Sequence, residues 1–232
     1  MRGMEKEMVR ANPGWVLAGG CVLAFLVAAV NADFMLRLGI SVSHLTGDLS
    51  RISSEAIEGV RAGGQSEVAL LCLSLAGFVL GAAISGFVIH HPNLLLQRPY
   101  GRFVMVIGAM LFATGPLMES STLAACTLAA CACGMQNALA TRYRGVILRT
   151  THITGLLTDF GQHLGMRLRG HAIESWKIST PLLLSVSFAG GALAGAFLSL
   201  KMDASVTGLC GVLYIVGGMM WSIVKRRPMG GE

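Results

Sequence analysis

The sequence predicts an all-α integral membrane protein with six transmembrane helices and two non-spanning half-helices. They form two inverted repeats in a single membrane domain over residues 1–232. Three observations carry that expectation. Six apolar runs reach or approach spanning length. Two polar segments, Ser43-His44-Leu45-Thr46-Gly47 and Thr151-His152-Ile153-Thr154-Gly155, nearly repeat one another in the two halves of the chain. Lys and Arg are distributed asymmetrically among the connections between the apolar runs.

Composition sets the class. Hydrophobic residues make up 53% of the chain and charged residues 13%, against roughly 25% charged in ordinary soluble domains. The 30 glycines suit helices that pack closely in lipid. A net charge of +6 fits basic loops on one side of a membrane, so no nucleic-acid partner is expected. Cys21, Cys72, Cys126, Cys131, Cys133 and Cys210 all lie inside apolar runs, where cysteine acts as a small hydrophobe. They form no disulfide framework.

In chain order, the apolar runs are residues 15–32, 68–89, 103–118, 123–140, 178–200 and 206–224. A membrane helix needs about 17–25 such residues. The third run is short, and the flanking Gly101-Arg102 completes it by snorkelling. Between the first and second runs, and between the fourth and fifth, lie helical patterns at residues 45–60 and 153–168. Charges interrupt both about once per turn, so neither can span.

With the N-terminus in the cytoplasm and one crossing per run, only Arg37, Arg51, Arg61 and Lys201 of the 18 Lys and Arg face the opposite side. That bias supports six crossings with both termini cytoplasmic. Arg2 to Arg10 followed by the apolar stretch to Ala32 also has the form of a cleavable signal peptide. Asn31, however, has a counterpart in Asn137, which places the first run inside the repeat.

The repeat units are residues 15–118 and 122–224, each ordered as span, Thr-Gly segment, span, span. Leu73-Ser74-Leu75-Ala76-Gly77 resembles Val186-Ser187-Phe188-Ala189-Gly190. Three crossings per half turn the second copy upside down, so two half-helices dip from opposite faces and meet near the midplane. Such a backbone is tolerated only where protein or water satisfies it.

The candidate binding residues are Thr46, Gly47, Asp48, Thr154 and Gly155, joined by His44, His152, Asn31 and Asn137. Thr can cap the free N–H groups of a helix start. Gly47 and Gly155 permit tight bends. Paired helix N-termini favour an anion or a carbonyl oxygen, but Asp48 supplies its own carboxylate where the second half has Leu156. His44 and His152 form a proton relay, a cation site or structural hydrogen bonds. Asn31 and Asn137 cap or bridge helices. Asp33 with Arg37 and Asp159 with His163 read as local pairs. Gly77-x-x-x-Gly81 and Gly191-x-x-x-Gly195 read as helix-packing faces, within the protomer or in a homo-oligomer.

No P-loop, dinucleotide glycine pattern or zincin motif occurs, so no catalytic residue, metal or cofactor is expected. The function expected is a transporter or channel for a small solute. The alternative is a non-transporting membrane scaffold or accessory subunit. An enzyme using His44, Asp48 or His152 ranks last. Lipid and an unidentified small solute are the expected partners.

Two motifs carry a family resemblance. Leu36-x-Leu-Gly39 leads to Ser43-His-Leu-Thr-Gly-Asp48, and Gly134-Met-Gln-Asn137 leads to Leu148-Arg-Thr-Thr-His-Ile-Thr-Gly155. With them, residues 15–224 resemble the YoaK-like family of bacterial multi-pass membrane proteins, classed by a domain of unknown function. Leu45 and Asp48 depart from that family's usual Met before the Thr and Asn after the Gly. The resemblance implies an integral inner-membrane protein of about six helices, with transport suspected and no settled activity.

Overall fold

In the computed structural model the described residues are 13–62, 66–89, 100–139, 141–143, 146–148, 150–202 and 205–224. The basic positions Arg2, Lys6, Arg10, Arg98, Arg144, Arg149, Lys225, Arg226 and Arg227, and the pair His90-His91, lie outside them. Eight helices are present among the described residues: α1 Pro13–Leu38, α2 Leu45–Ala62, α3 Ser66–Val88, α4 Tyr100–Ser120, α5 Thr122–Ala138, α6 Ile153–Leu168, α7 Trp176–Met202 and α8 Val206–Val224.

Among the described residues, five stretches are long and apolar enough to cross a membrane: Gly14–Leu38, Glu67–Val88, Tyr100–Ser120, Trp176–Met202 and Val206–Ile223. In lipid a helix is the natural outcome for such runs, because it satisfies every backbone polar group internally. α1 runs past the predicted end at Ala32, because Asp33 and Arg37 pair one turn apart, Arg37 Nε lying 2.7 Å from Asp33 Oδ1. The pair neutralises two charges that would otherwise favour stopping the helix.

The predicted fourth span is the exception. α5 has 17 residues, about 25 Å of helix against a hydrocarbon core of about 30 Å. It ends at Ala138, before the expected Ala140. The chain continues into a small antiparallel hairpin of β1 Thr141–Tyr143 and β2 Val146–Leu148, with Thr141 opposite Leu148 and Tyr143 opposite Val146. β-branched and aromatic side chains dominate both strands and favour the extended backbone.

Three helix pairs make up the bundle: α1 with α7, α3 with α5, and α4 with α8. Glycine allows each close approach. A Cβ at Gly191 would collide with the Phe25 carbonyl, and one at Gly195 with the Ala29 carbonyl, so α1 and α7 run parallel. Gly77 and Gly81 abut the carbonyls of Thr127 and Cys131 in the same way, making α3 and α5 parallel. Gly108 meets Gly211 while Gly101 meets Gly218, so α4 and α8 are antiparallel. Both glycine faces predicted from the sequence therefore pack within the protomer.

The register differs from the sequence likeness. Gly81 rests on Cys131, which lies as far before Asn137 as Phe25, the seat of Gly191, lies before Asn31. This equates Gly81 with Gly191, nearly a turn away from the Gly77–Gly190 match. Among the described residues, a Cβ at Gly190 would meet the Phe25 ring at 3.7 Å, an ordinary contact.

α1 and α5 carry the densest burial. Val27, Val30 and Phe34 of α1 and Cys126, Ala129, Ala130 and Ala132 of α5 are all fully enclosed. The small side chains of α5 let α3 and α4 close around it. α2 and α6 are amphipathic and largely exposed along their lengths. Gly170, with φ +96°, ends α6. Its N–H donates to the Arg167 carbonyl and that of His171 to Met166, the paired bonds of a left-handed helix stop.

Candidate functional site

The first Thr-Gly segment folds back along α1. The chain leaves α1 at Gly39, whose φ of +68° is a left-handed conformation that suits glycine. The N–H of Gly39 donates to the Met35 carbonyl and closes the helix. Residues 40–43 then turn inward and are buried. Asn31 Oδ1 accepts three hydrogen bonds from this return: from Ser41 Oγ at 2.9 Å, Val42 N at 3.0 Å and Ser43 N at 3.1 Å. Asn31 lies two turns before α1 ends, so the chain re-enters by about 10 Å.

α2 then climbs back out. Two turns into it, Arg51 Nη1 donates to the Gly39 carbonyl at 2.7 Å, and Arg51 Nη2 to Glu67 Oε1 at 2.5 Å. Arg51 therefore stands level with the end of α1 and the start of α3. The inward descent and the outward climb are similar in length. Arg51 is partly exposed, so its ion pair is worth about 0–1 kcal/mol. Arg51→Gln is expected to speed amide hydrogen exchange in the first two turns of α2 while leaving the global unfolding midpoint nearly unchanged. Unaltered exchange there would argue against the latch.

The second segment is held by α5. Asn137 Oδ1 accepts from Thr151 Oγ1 at 2.6 Å, one bond where Asn31 Oδ1 accepts three. Beside it, Gln136 Nε2 donates to Thr150 Oγ1 at 3.1 Å and to the Leu23 carbonyl at 3.0 Å. Gln136 Oε1 accepts from the hydroxyl of Tyr214, buried on α8. Leu23 lies near the middle of α1, so the C-terminal end of α5 stops at mid-bundle depth.

The two segments approach one another. The His44 ring meets the Phe188 ring edge-on, with centroids 4.8 Å apart, and Phe188 sits on α7 just before the Gly191 contact at mid-α1. Leu156, in the first turn of α6, packs against the buried pair Ala24 and Leu184, as Phe188 does. Burial, and then the charge of the nearby His152, lower the pKa of His44. Burial raises the pKa of Asp48, with Arg51 and the backbone N–H of Ser41 pulling the other way. Both shifts favour the uncharged forms.

The sequence-derived residues divide by role. Asn31, Asp48 and Thr151 are buried, and His44 and Asn137 are half-buried. His152 is exposed, and its ring lies over Gly155 where a Cβ would collide with it. Gly155 thus serves a close approach, whereas nothing lies within 4 Å of a Cβ at Gly47.

The expected threonine caps are absent at these positions. The side chains of Thr46 and Thr154 are exposed, and α6 begins at His152 with no side-chain cap bond. In the first half Ser41 Oγ instead accepts from the His44 N–H at 2.9 Å, because the inward return places Ser41 beneath the helix start. Asp159 and His163 do not pair through the carboxylate. His163 Nδ1 lies 2.7 Å from the Asp159 backbone carbonyl. Among the described residues no three His, Cys, Asp or Glu side chains converge on a metal position.

Sequence reasoning did not single out Ser41, Arg51, Gln136, Tyr214 or Phe188. Gln136 and Tyr214 carried a usable signal, since each is a polar side chain inside an apolar run.

Several buried polar atoms lack a hydrogen-bond partner among the described residues: Ser43 Oγ, His44 Nε2 and Asp48 Oδ2 around the start of α2, Ser74 and Ser85 Oγ on α3, and Thr180 Oγ1 and Ser185 Oγ on α7.

No curated protein and no solved structure matches the chain. A family model does, over residues 19–220, from within α1 to near the end of α8. The chain, a multi-helix protein with apolar helices suited to a membrane, belongs to this family, described as proteins of unknown function (DUF1275).

Proposed function

We propose that this protein is an inner-membrane transporter or channel for a small solute, built as two inverted repeats over residues 15–118 and 122–224. In this reading α5 and the hairpin together make the sixth crossing, and both termini are cytoplasmic. Exchanging the halves maps α1 onto α5, α2 onto α6, α3 onto α7 and α4 onto α8. The α1–α7 pair then becomes α5–α3, and α4–α8 maps onto itself. The shared parallel sense of the first two pairs and the antiparallel sense of the third support the exchange. So do the matched roles of Asn31 and Asn137.

One observation carries the functional reading. Two breaks in the helical backbone fold inward to the level of mid-α1, bringing His44 near Phe188 and His152. Helix starts and unpaired polar groups at membrane depth are costly unless they serve a site. The proposed binding residues are His44, Asp48, His152 and Gly155, with Thr46, Gly47 and Thr154 at the mouths of the two segments. Asn31 and Asn137 hold the two returns in place. Spare hydroxyls on α3 and α7 give a solute further hydrogen-bonding positions.

Purified protein reconstituted into vesicles should produce solute-dependent re-swelling after osmotic shock with a panel of small polar solutes, and Asn31→Ala should lose it. No flux for cationic, neutral or anionic solutes from correctly folded protein would contradict transport. A stable membrane partner recovered alongside that result would favour the scaffold reading.

A further inference from the structure

Asp48 makes the proposed site unequal in its two halves, and its surroundings are specific. Asp48 is 5% exposed and Oδ2 has no partner among the described residues. The nearest cation, Arg51, is 3.8 Å from Asp48 Oδ1 but 2.5 Å from Glu67 Oε1. Arg51 thus sits closer to Glu67 than to Asp48, and whenever Asp48 is ionised the group of Asp48, Arg51 and Glu67 carries one negative charge in excess. A buried carboxylate in that position is stabilised by a proton or by a cation.

Two further buried atoms near the same helix start are without partners: Ser43 Oγ, on a residue 5% exposed, and His44 Nε2. A hydroxyl oxygen accepts, and a neutral imidazole accepts at one nitrogen. The neutral ring is the form favoured at His44. Unpartnered acceptors on Ser43, His44 and, when ionised, Asp48, all within six residues at one helix start, equal in number and charge what the three N–H donors of a primary ammonium group require. The bare helix N-terminus would favour an anion, but Asp48 occupies that position and opposes one.

We infer that the central site takes a small solute bearing a primary ammonium group, held by Asp48 with Ser43 and His44, and excludes anions. The inference rests on the site proposed above but concerns binding, so it is tested without flux.

Isothermal titration of the purified full-length protein in detergent near neutral pH, with methylammonium, tetramethylammonium, acetate and glycerol, reads it directly. Saturable methylammonium binding is expected. Tetramethylammonium, a cation without N–H donors, should bind at least about tenfold more weakly. Acetate and glycerol should show no saturation. Asp48→Asn should weaken methylammonium binding by about 10- to 100-fold, with its unfolding midpoint checking that it folds, and Asp48→Glu should retain binding.

Equal methylammonium affinity in Asp48→Asn, preferential acetate or glycerol binding, or no methylammonium binding by folded protein would each overturn the inference. Flux of a neutral solute without methylammonium binding would overturn it and leave transport standing. Binding without flux would support it and contradict transport alone.

Discussion

Gly81→Leu and Gly191→Leu are each expected to abolish recovery of folded protein. A side chain at Gly81 would enter the carbonyl of Cys131, and one at Gly191 the carbonyl of Phe25. Overpacking a core costs typically 1–3 kcal/mol when neighbouring side chains can move aside. Here the obstacle is backbone, so two helices would have to separate and lose the contacts along their whole seam. Set against a typical net stability of about 5–15 kcal/mol, that is decisive. Gly86→Leu on the same helix is the control: Gly86 is exposed, with nothing within 4 Å of its Cβ position. The measurement is the yield of monodisperse protein in detergent and its thermal midpoint. Normal behaviour of Gly81→Leu alongside Gly86→Leu would mean that the α3–α5 seam is misplaced.

Asn31→Ala should produce the second largest effect. It removes one acceptor that serves Ser41 Oγ and the backbone N–H groups of Val42 and Ser43. A buried donor left unpaired costs about 1–3 kcal/mol, so losing the acceptor for three donors costs at least about 3 kcal/mol. The loss falls on the return loop that positions His44 and Asp48. Asn31→Asp keeps an acceptor oxygen and should recover part of the loss. Asn137→Ala, which removes the single bond from Thr151, should cost about 1–2 kcal/mol. Thermal unfolding in detergent, paired with vesicle flux, checks the order. Equal or negligible effects for the two asparagines would contradict the roles assigned to them.

Much of the architecture could be read from residue patterns. The charge-interrupted pattern at residues 153–168 coincides with α6, and that at 45–60 lies within α2. Those segments alternate polar and apolar faces at the helical period. The small-residue spacings at Gly77, Gly81, Gly191 and Gly195 marked seams, because lipid-embedded helices meet where side chains are smallest.

Other features depend on three-dimensional placement. Thr46 and Thr154 matched a capping pattern, yet Ser41 caps the start of α2 because the chain turns back at Gly39. No local pattern encodes the depth of that return. The shortening of α5 followed from strand-forming residues just beyond Asn137, which an apolar average over 123–140 concealed. The Tyr214–Gln136–Thr150 network joins three parts of the chain that only folding brings together. Asp33 with Arg37 was legible because its partners sit one turn apart, whereas the bridge from Arg51 to Glu67 crosses two helices.

The proposed central site requires the segments around His44 and His152 to meet inside the bundle. Crosslinking tests it most directly, with His44→Cys and His152→Cys combined in a background where Cys21, Cys72, Cys126, Cys131, Cys133 and Cys210 are replaced by alanine. In native membranes a short bis-maleimide should join positions 44 and 152 within one chain, and neither single-cysteine variant should give that product. No crosslink in folded protein, with both positions modified by a membrane-impermeant thiol reagent, would place the segments apart at the surface and contradict the central site.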